Sequence, residues 1–215
     1  MDQKESNLIE QTAKLFLEYG IRSVTMDDIA RNLVVSKKTL YQYFKDKEEL
    51  LSKVLDFVVE LEYKCYNSII EYHAHPIKIL HSVLNLDMKT NNMHSVDNVD
   101  YNVLKIQSPT FLFDLKKYYP HLYNKIYNDN IDKGKELYEQ IIEGGKDLGV
   151  FRDSVDTSAT ARFILNAYFP FNDSSLLSAS DFFSPPFLIA ISRFVISGLL
   201  NDEGRKYYKE HIGEL

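Results

Sequence analysis

Residues 25–44 read TMDDIARNLVVSKKTLYQYF, and this stretch decides the fold. Thr25 suits a helix N-cap, with Asp28 three residues on, where a capping box places its acid. Met26, Ile29, Ala30 and Leu33 then recur at helical spacing on one face. The pattern breaks at Val34-Val35, and Ser36 offers a second cap. From Lys37 a second helix begins, with Leu40 and Phe44 as its inward stripe. Its other face carries Lys37, Lys38, Thr39, Tyr41, Gln42 and Lys45. Cations, hydroxyls and an amide are the groups that reach phosphate oxygens and base edges. Two short helices of which the second is polar outward describe a helix-turn-helix, which lays its second helix in a DNA major groove.

Working outward, residues 6–19 predict a helix with Ile9, Ala13 and Phe16 as its stripe and Gly20 as its stop. It closes a three-helix head. On the other side Asp46 caps a new helix, with Glu49 completing a D-x-x-E box. Leu50, Val54, Phe57, Leu61 and Cys65 follow at spacings of three or four until about His73. A helix of ~27 residues is ~40 Å long at 1.5 Å per residue, a natural lever. Further helices are predicted from Pro76 to Met88, at about 101–107, from Pro109 to Tyr118 and from Pro120 to about Asp147. Asp156 or Ser154 caps the next, which Pro170 ends; the last two run from Pro185 to Leu200 and from Asp202 towards Ile212. Loops fall at 89–100 and 172–181. No strand alternation of useful length survives, so the class is all-α: a head at residues 1–46 and a larger helical body at 47–215.

Charge sharpens this reading. The 215 residues hold 25 basic and 31 acidic side chains, net −6, which excludes a nonspecific nucleic-acid coat. From Ile21 to Lys47, six bases (Arg22, Arg31, Lys37, Lys38, Lys45, Lys47) face three acids (Asp27, Asp28, Asp46). The basic footprint is concentrated on the head. A single cysteine, Cys65, excludes an internal disulfide framework. The N-terminal residues MDQKESN lack a signal-peptide core, and the apolar run Phe187–Ile191 is far short of the ~20 residues that span a bilayer. The expectation is a cytoplasmic protein without a membrane partner.

The same residues carry a resemblance to the TetR-type transcriptional repressors. Gly20, Thr25, Ile29-Ala30, Val35-Ser36, Thr39-Leu40-Tyr41, Tyr43-Phe44 and Lys47-Glu48-Glu49-Leu50 match that family's N-terminal pattern at fixed spacing. Two departures stand out: Val34 and Lys38 occupy positions where glycine is frequent. The resemblance covers only the first quarter of the chain. It implies a homodimer on a double-stranded DNA operator, with a small effector bound between body helices. For the head, Thr39 and Gln42 are the candidates for base edges, beside Ser36, Lys37 and Lys38. Thr25, Tyr41, Tyr43 and Lys47 are the candidates for phosphates.

In the body, fifteen Tyr and thirteen Phe without Trp can fill a core or line a cavity. Tyr63, Tyr66, Met88, Tyr101, Phe111 and Tyr168 are the candidate ligand residues, and their apolar character favours a small apolar molecule. Two late helices are apolar over wide faces, more than one neighbour requires. Phe163 and Ala167 on one, with Phe187, Ile191, Phe194 and Val195 on the other, are the candidate dimer interface, a four-helix bundle that the resemblance also implies. His73 and His75 lack metal-ligand spacing, Cys65 falls on an apolar stripe, and GGKDLG at 144–149 lacks the phosphate-loop ending. No cofactor, metal or catalytic constellation is expected. The rival readings are a DNA-binding regulator without effector and an all-α enzyme or carrier.

Overall fold

A computed structural model describes residues 2–85, 109–168 and 184–214, apart from the side chains at 109, 110, 129 and 130. Ten helices lie within these residues: α1 (Gln3–Tyr19), α2 (Met26–Asn32), α3 (Lys37–Tyr43), α4 (Lys47–Tyr72), α5 (Pro76–Leu84), α6 (Pro109–Tyr118), α7 (Pro120–Asp147), α8 (Thr157–Tyr168), α9 (Pro185–Leu199) and α10 (Asp202–His211). The only strand-like pairing among them is one antiparallel bridge, Phe151 to Leu200. The protein is all-α, as its periodicities dictate. The helix expected at about 101–107, the loops at 89–100 and 172–181, and Pro170 lie outside the described residues.

The helix boundaries follow local chemistry. Gly20 ends α1 with φ of 80° while its N–H returns to the Phe16 carbonyl, a conformation that costs a side chain dearly. The start of α1 comes earlier than the stripe suggests, because Asp2 caps it and accepts from the Glu5 N–H at 2.7 Å. At α4, Asp46 accepts from Glu49 N–H at 2.9 Å. The return bond is displaced by one residue: Glu49 accepts from Lys45 N–H at 2.7 Å. Asp156, rather than Ser154, caps α8 through Ala159 N–H at 2.7 Å.

The chain forms two compact units, divided between Lys64 and Cys65 within α4 and between Ile126 and Tyr127 within α7, so that α6 belongs to the first. In the first, α1 to α3 and the start of α4 surround a core of Ile9, Phe16, Ile21, Ile29, Leu40, Phe44 and Leu50, each with at most 1% of its surface exposed. Four helices contribute to that core, so no helix of the head can form its final packing alone. The second unit holds α5, most of α7, and α8 to α10, with α9 packed against both α5 and α8. Here Gly145 permits a close approach: a Cβ there would lie 2.0 Å from the Phe151 ring, itself fully buried. The second glycine of a pair that weakens the helix by propensity is therefore required by packing. Gly204 does the same for the Val150 carbonyl, which a Cβ would meet at 2.1 Å. Around these contacts Arg152 N–H bonds the Leu199 carbonyl at 2.9 Å and Asn201 N–H the Val150 carbonyl at 3.2 Å. The two interhelical links are thereby clamped together.

Helix α10 docks through histidines. His75 caps α5, its Nδ1 accepting from Ile77 N–H at 3.3 Å. Its ring stacks on Tyr207 at 3.6 Å, and Tyr207 stacks on His211 at 4.1 Å. His73 Nε2 meets the Ser82 hydroxyl at 3.1 Å, and His81 Nδ1 meets the Tyr208 hydroxyl at 3.1 Å. Burial first, then the nearby charge of Lys78, holds both His73 and His75 below the ordinary imidazole pKa; for His75 the His211 ring adds to this. A protonated His75 would also lose its acceptor and set a cation at a helix N-terminus. Because the native pKa lies below the unfolded one, the unfolded chain binds more protons on the acid side of ~6.5. The stability contributed by neutral His75 is complete above that pH and is lost as pH falls through it. Urea midpoints are expected to drop between pH 7.5 and 5.5, and to drop less in His75→Asn, which caps without titrating.

Candidate nucleic-acid interface

The interface is built by two caps. Thr25 and Asp28 form a complete capping box at α2: Asp28 N–H donates to Thr25 Oγ1 at 3.2 Å, and Thr25 N–H donates to Asp28 Oδ2 at 3.0 Å. The Asp28 carboxyl is held below its ordinary pKa by the bond it accepts from the Thr25 hydroxyl first, and then by that from Thr25 N–H. Ser36 caps α3, accepting from Thr39 N–H at 3.0 Å, with the two hydroxyls 2.8 Å apart. Between the caps the chain reverses at Val34, which adopts φ of 53° and is 91% exposed. A β-branched side chain in the left-handed region costs of order 1–2 kcal/mol. That is the physical meaning of a position where glycine is frequent: the turn forms with valine, under strain.

The outward face of α3 then holds Lys37, Lys38, Tyr41 and Gln42, all exposed, with Thr39 half-buried beside the Ser36 cap. Tyr41 is 50% exposed while Leu40 and Phe44 are fully buried behind it. Lys38 has no acid within ion-pair distance among the described residues. The other cations are differently placed. Lys37 pairs with Asp27 at 2.5 Å, Arg31 with Asp28 at 3.6 Å and Lys45 with Asp46 at 3.8 Å. Three of the six cations counted from the sequence are thus paired with its three acids, and the positive excess rests on Arg22, Lys38 and Lys47.

Two expected phosphate contacts carry structural duties. Tyr43 is half-buried, and its hydroxyl pKa is raised by desolvation first and then by Asp2 and Glu5 around the α1 cap. Lys4 sits 5.9 Å above its ring. Lys47 is half-buried, and its Nζ donates to the Ile21 carbonyl. Burial pushes the Lys47 pKa down, while Asp114 and Asp28 oppose that by favouring the ammonium. Asp114 of α6 also accepts from Arg22 N–H at 3.5 Å, and the Arg22 guanidinium lies 5.4 Å over the Tyr118 ring. Asp114 and Tyr118 have no local signature, since they lie 92 and 96 positions from Arg22 in the chain.

Of the candidate ligand residues, Tyr63 and the buried Phe111 belong to the first unit, and Tyr66 and Tyr168 to the second. Met88 and Tyr101 lie outside the described residues. A cleft of about 300 Å³ is lined by Tyr127, Ile131, Asp132 and Lys135 of α7 with Arg162, Leu165 and Asn166 of α8. It contains none of the expected set and is more charged than an apolar ligand favours. No group of three metal-ligating side chains occurs among the described residues, and no described helix is long and apolar enough to cross a membrane.

The candidate interface residues divide by exposure. Phe163 is 52% and Phe194 70% exposed, with their rings 6.3 Å apart across α8 and α9. Ile189, not anticipated from sequence, is 38% exposed on α9. Ala167, Phe187 and Ile191 are half-buried. Val195, by contrast, is 5% exposed and packs within its own chain.

The family model for bacterial regulatory proteins of the tetR family matches residues 8–54. The chain is 23% identical over 167 residues to the transcriptional repressor KstR2 of Mycobacterium tuberculosis, covering 76% of this chain and 77% of that protein. It is 24% identical over 180 residues to IcaR of Staphylococcus aureus, a negative transcriptional regulator of the biofilm operon icaADBC, covering 82% and 84%. The solved structure of KstR2, described as a ketosteroid transcriptional regulator, superposes with a TM-score of 0.55 at 19% identity, covering 94% of this chain and 97% of that one.

Lys47→Met tests the role the geometry gives that side chain. The hydrogen bond of a charged donor is worth about 1.5–3 kcal/mol, less where water still reaches it. Thermal melting is expected to fall and DNA binding to weaken, with the salt dependence of binding unchanged. A phosphate contact would instead leave melting alone and flatten the salt slope by roughly one per head.

Proposed function

We propose that this chain, whose residues 8–54 match the tetR-family model, is a TetR-type, DNA-binding transcriptional repressor: a homodimer that releases its operator when a small apolar molecule enters the body. The observation that carries the DNA reading is the capped α2–α3 pair, which turns Lys38, Tyr41 and Gln42 outward from a fully buried Leu40 and Phe44.

Residues 1–46 are the DNA head in this proposal, and 47–215 bind effector and partner. Gln42 and Thr39 read base edges, with Ser36, Lys37 and Lys38 at the groove. Tyr41 and Thr25 hold phosphates, and Tyr43 and Lys47 keep the head in the shape that does so. The unbroken α4, Lys47–Tyr72, is the lever that transmits an effector's presence. An effector shifts the equilibrium only by its differential affinity for the two states, so a tenfold release needs a coupling of ~1.4 kcal/mol. Support for an apolar effector comes from the aromatic body and from a relative whose description names ketosteroids. Tyr63, Tyr66, Met88, Tyr101, Phe111 and Tyr168 stay the candidate ligand residues of this reading. The dimer reading draws on Phe163, Phe194 and Ile189, which leave large apolar area in water on a single chain. No reaction is proposed, and the place of action is the cytoplasm, where DNA lies.

Sequence selection from random duplexes, followed by titration, tests the DNA reading. With ~6 phosphates neutralised, log affinity falls with log salt at a slope of roughly −5; a flat response would remove the claim. Gln42→Ala is expected to weaken the selected site by ~1–3 kcal/mol relative to a scrambled duplex. Equal loss on both would take base reading away from Gln42.

Phe194→Glu tests the interface. Because Phe194 is 70% exposed in one chain, the substitution should leave the fold and its melting intact. Across a two-fold bundle it would bury an unpaired carboxylate, so sedimentation should report monomers. A folded variant that stays dimeric would move the interface elsewhere.

A further inference from the structure

Three acids stand among the cations of the head, and two of them are needed by the fold. Asp28 completes the α2 capping box, and Asp46 caps α4 through Glu49 N–H. Asp27 has no such duty. It stands at the second residue of α2 and reaches across to Lys37, the first residue of the recognition helix, at 2.5 Å. Both side chains are open to water, with 62% of Lys37 and 50% of Asp27 exposed. A carboxylate at this point is costly for DNA of any sequence, since it competes with phosphate for the same ammonium and adds like charge to the surface a polyanion must approach.

We infer that Asp27 is a counter-charge that holds Lys37 away from phosphate and so sets how tightly the head grips DNA. The inference rests on the reading of α3 as the DNA helix. Phosphate contacts carry no sequence information, so Asp27 lowers affinity for the operator and for other DNA by the same factor. The effect leaves discrimination to the base contacts of Gln42 and Thr39. It also separates the head's charge by role: Lys38 is open to phosphate from the start, whereas Lys37 is released only when a phosphate outcompetes Asp27.

The test uses the full-length protein with Asp27→Asn, Lys37→Ala and the double variant. Asparagine keeps a polar side chain in the first turn of α2 and leaves the capping box untouched; a melt near that of wild type verifies the fold. Each protein is titrated with a duplex selected from random sequence and with its scrambled form, across a range of salt. Asp27→Asn is expected to tighten both duplexes equally, by about two- to fivefold per head, the size of an exposed ion pair. Its salt slope should steepen by roughly one per head as Lys37 gains a phosphate. In the Lys37→Ala background the same substitution should do little. Equal gains with and without Lys37 would show a general charge effect and overturn the masking role. A loss on the selected duplex with a gain on the scrambled one would make Asp27 a base contact and overturn it too. An unchanged slope, or weaker binding to both duplexes, would leave Asp27 only a helix-stabilising part. These outcomes all presuppose a wild type that binds with a salt-dependent slope; a flat wild-type response would sink the DNA reading itself.

Discussion

The ammonium of Lys47 is half-buried at the start of α4, where it donates to the Ile21 carbonyl between the carboxylates of Asp28 and Asp114. One charge thereby meets four parts of the first unit: the α1–α2 turn, the capping box of α2, α4 itself and α6. Desolvating an ammonium is unfavourable unless its protons are satisfied and acids stand close, and here both conditions are met. The turn it holds is the one that orients α2, and α2 orients α3 through the strained reversal at Val34. The geometry of the outward face therefore depends on a contact well behind it.

That face is more economical in positive charge than a census of residues suggests. Asp27, Asp28 and Asp46 each have a cation beside them, and the pairs are exposed, so each contributes little to stability. Their consequence is for binding. A protein that must find one site among many gains nothing from a large sequence-independent attraction, and paired charges keep that attraction small while the amide of Gln42 stays exposed. The overall net charge of −6 works in the same direction at longer range, damped beyond a Debye length of ~8 Å at physiological salt.

The second unit is organised by close approach and by aromatic stacking. Gly145 and Gly204 let a ring and a carbonyl come where no side chain fits. The buried amide of Asn85 reaches Ser192 at 3.2 Å, joining α5 to α9. At the opposite end of α5, His75, Tyr207 and His211 stack in sequence. These contacts fix α9 from one side and leave Phe163 and Phe194 uncovered on another, so the apolar face is a product of packing and not of composition alone.

Local chemistry made much of this legible from the chain. The caps at Thr25, Ser36, Asp46 and Asp156, the stop at Gly20, and the starts at Pro76, Pro109, Pro120 and Pro185 all act within a few residues, and so they can be read from sequence. The same holds for the outward Lys38, Tyr41 and Gln42, because the inward stripe of Leu40 and Phe44 sets the helical phase. What the tertiary structure decided are contacts between residues far apart in the chain. It turned Lys47 from the surface to the Ile21 carbonyl, put Asp114 against Arg22, set Asp27 on Lys37, and required glycine at 145 for the Phe151 ring. It also separated Val195, buried in its own chain, from Phe194 beside it. Periodicity tells which face of a helix is apolar, but only packing tells which neighbour covers that face, because the energy of a contact depends on both partners being present.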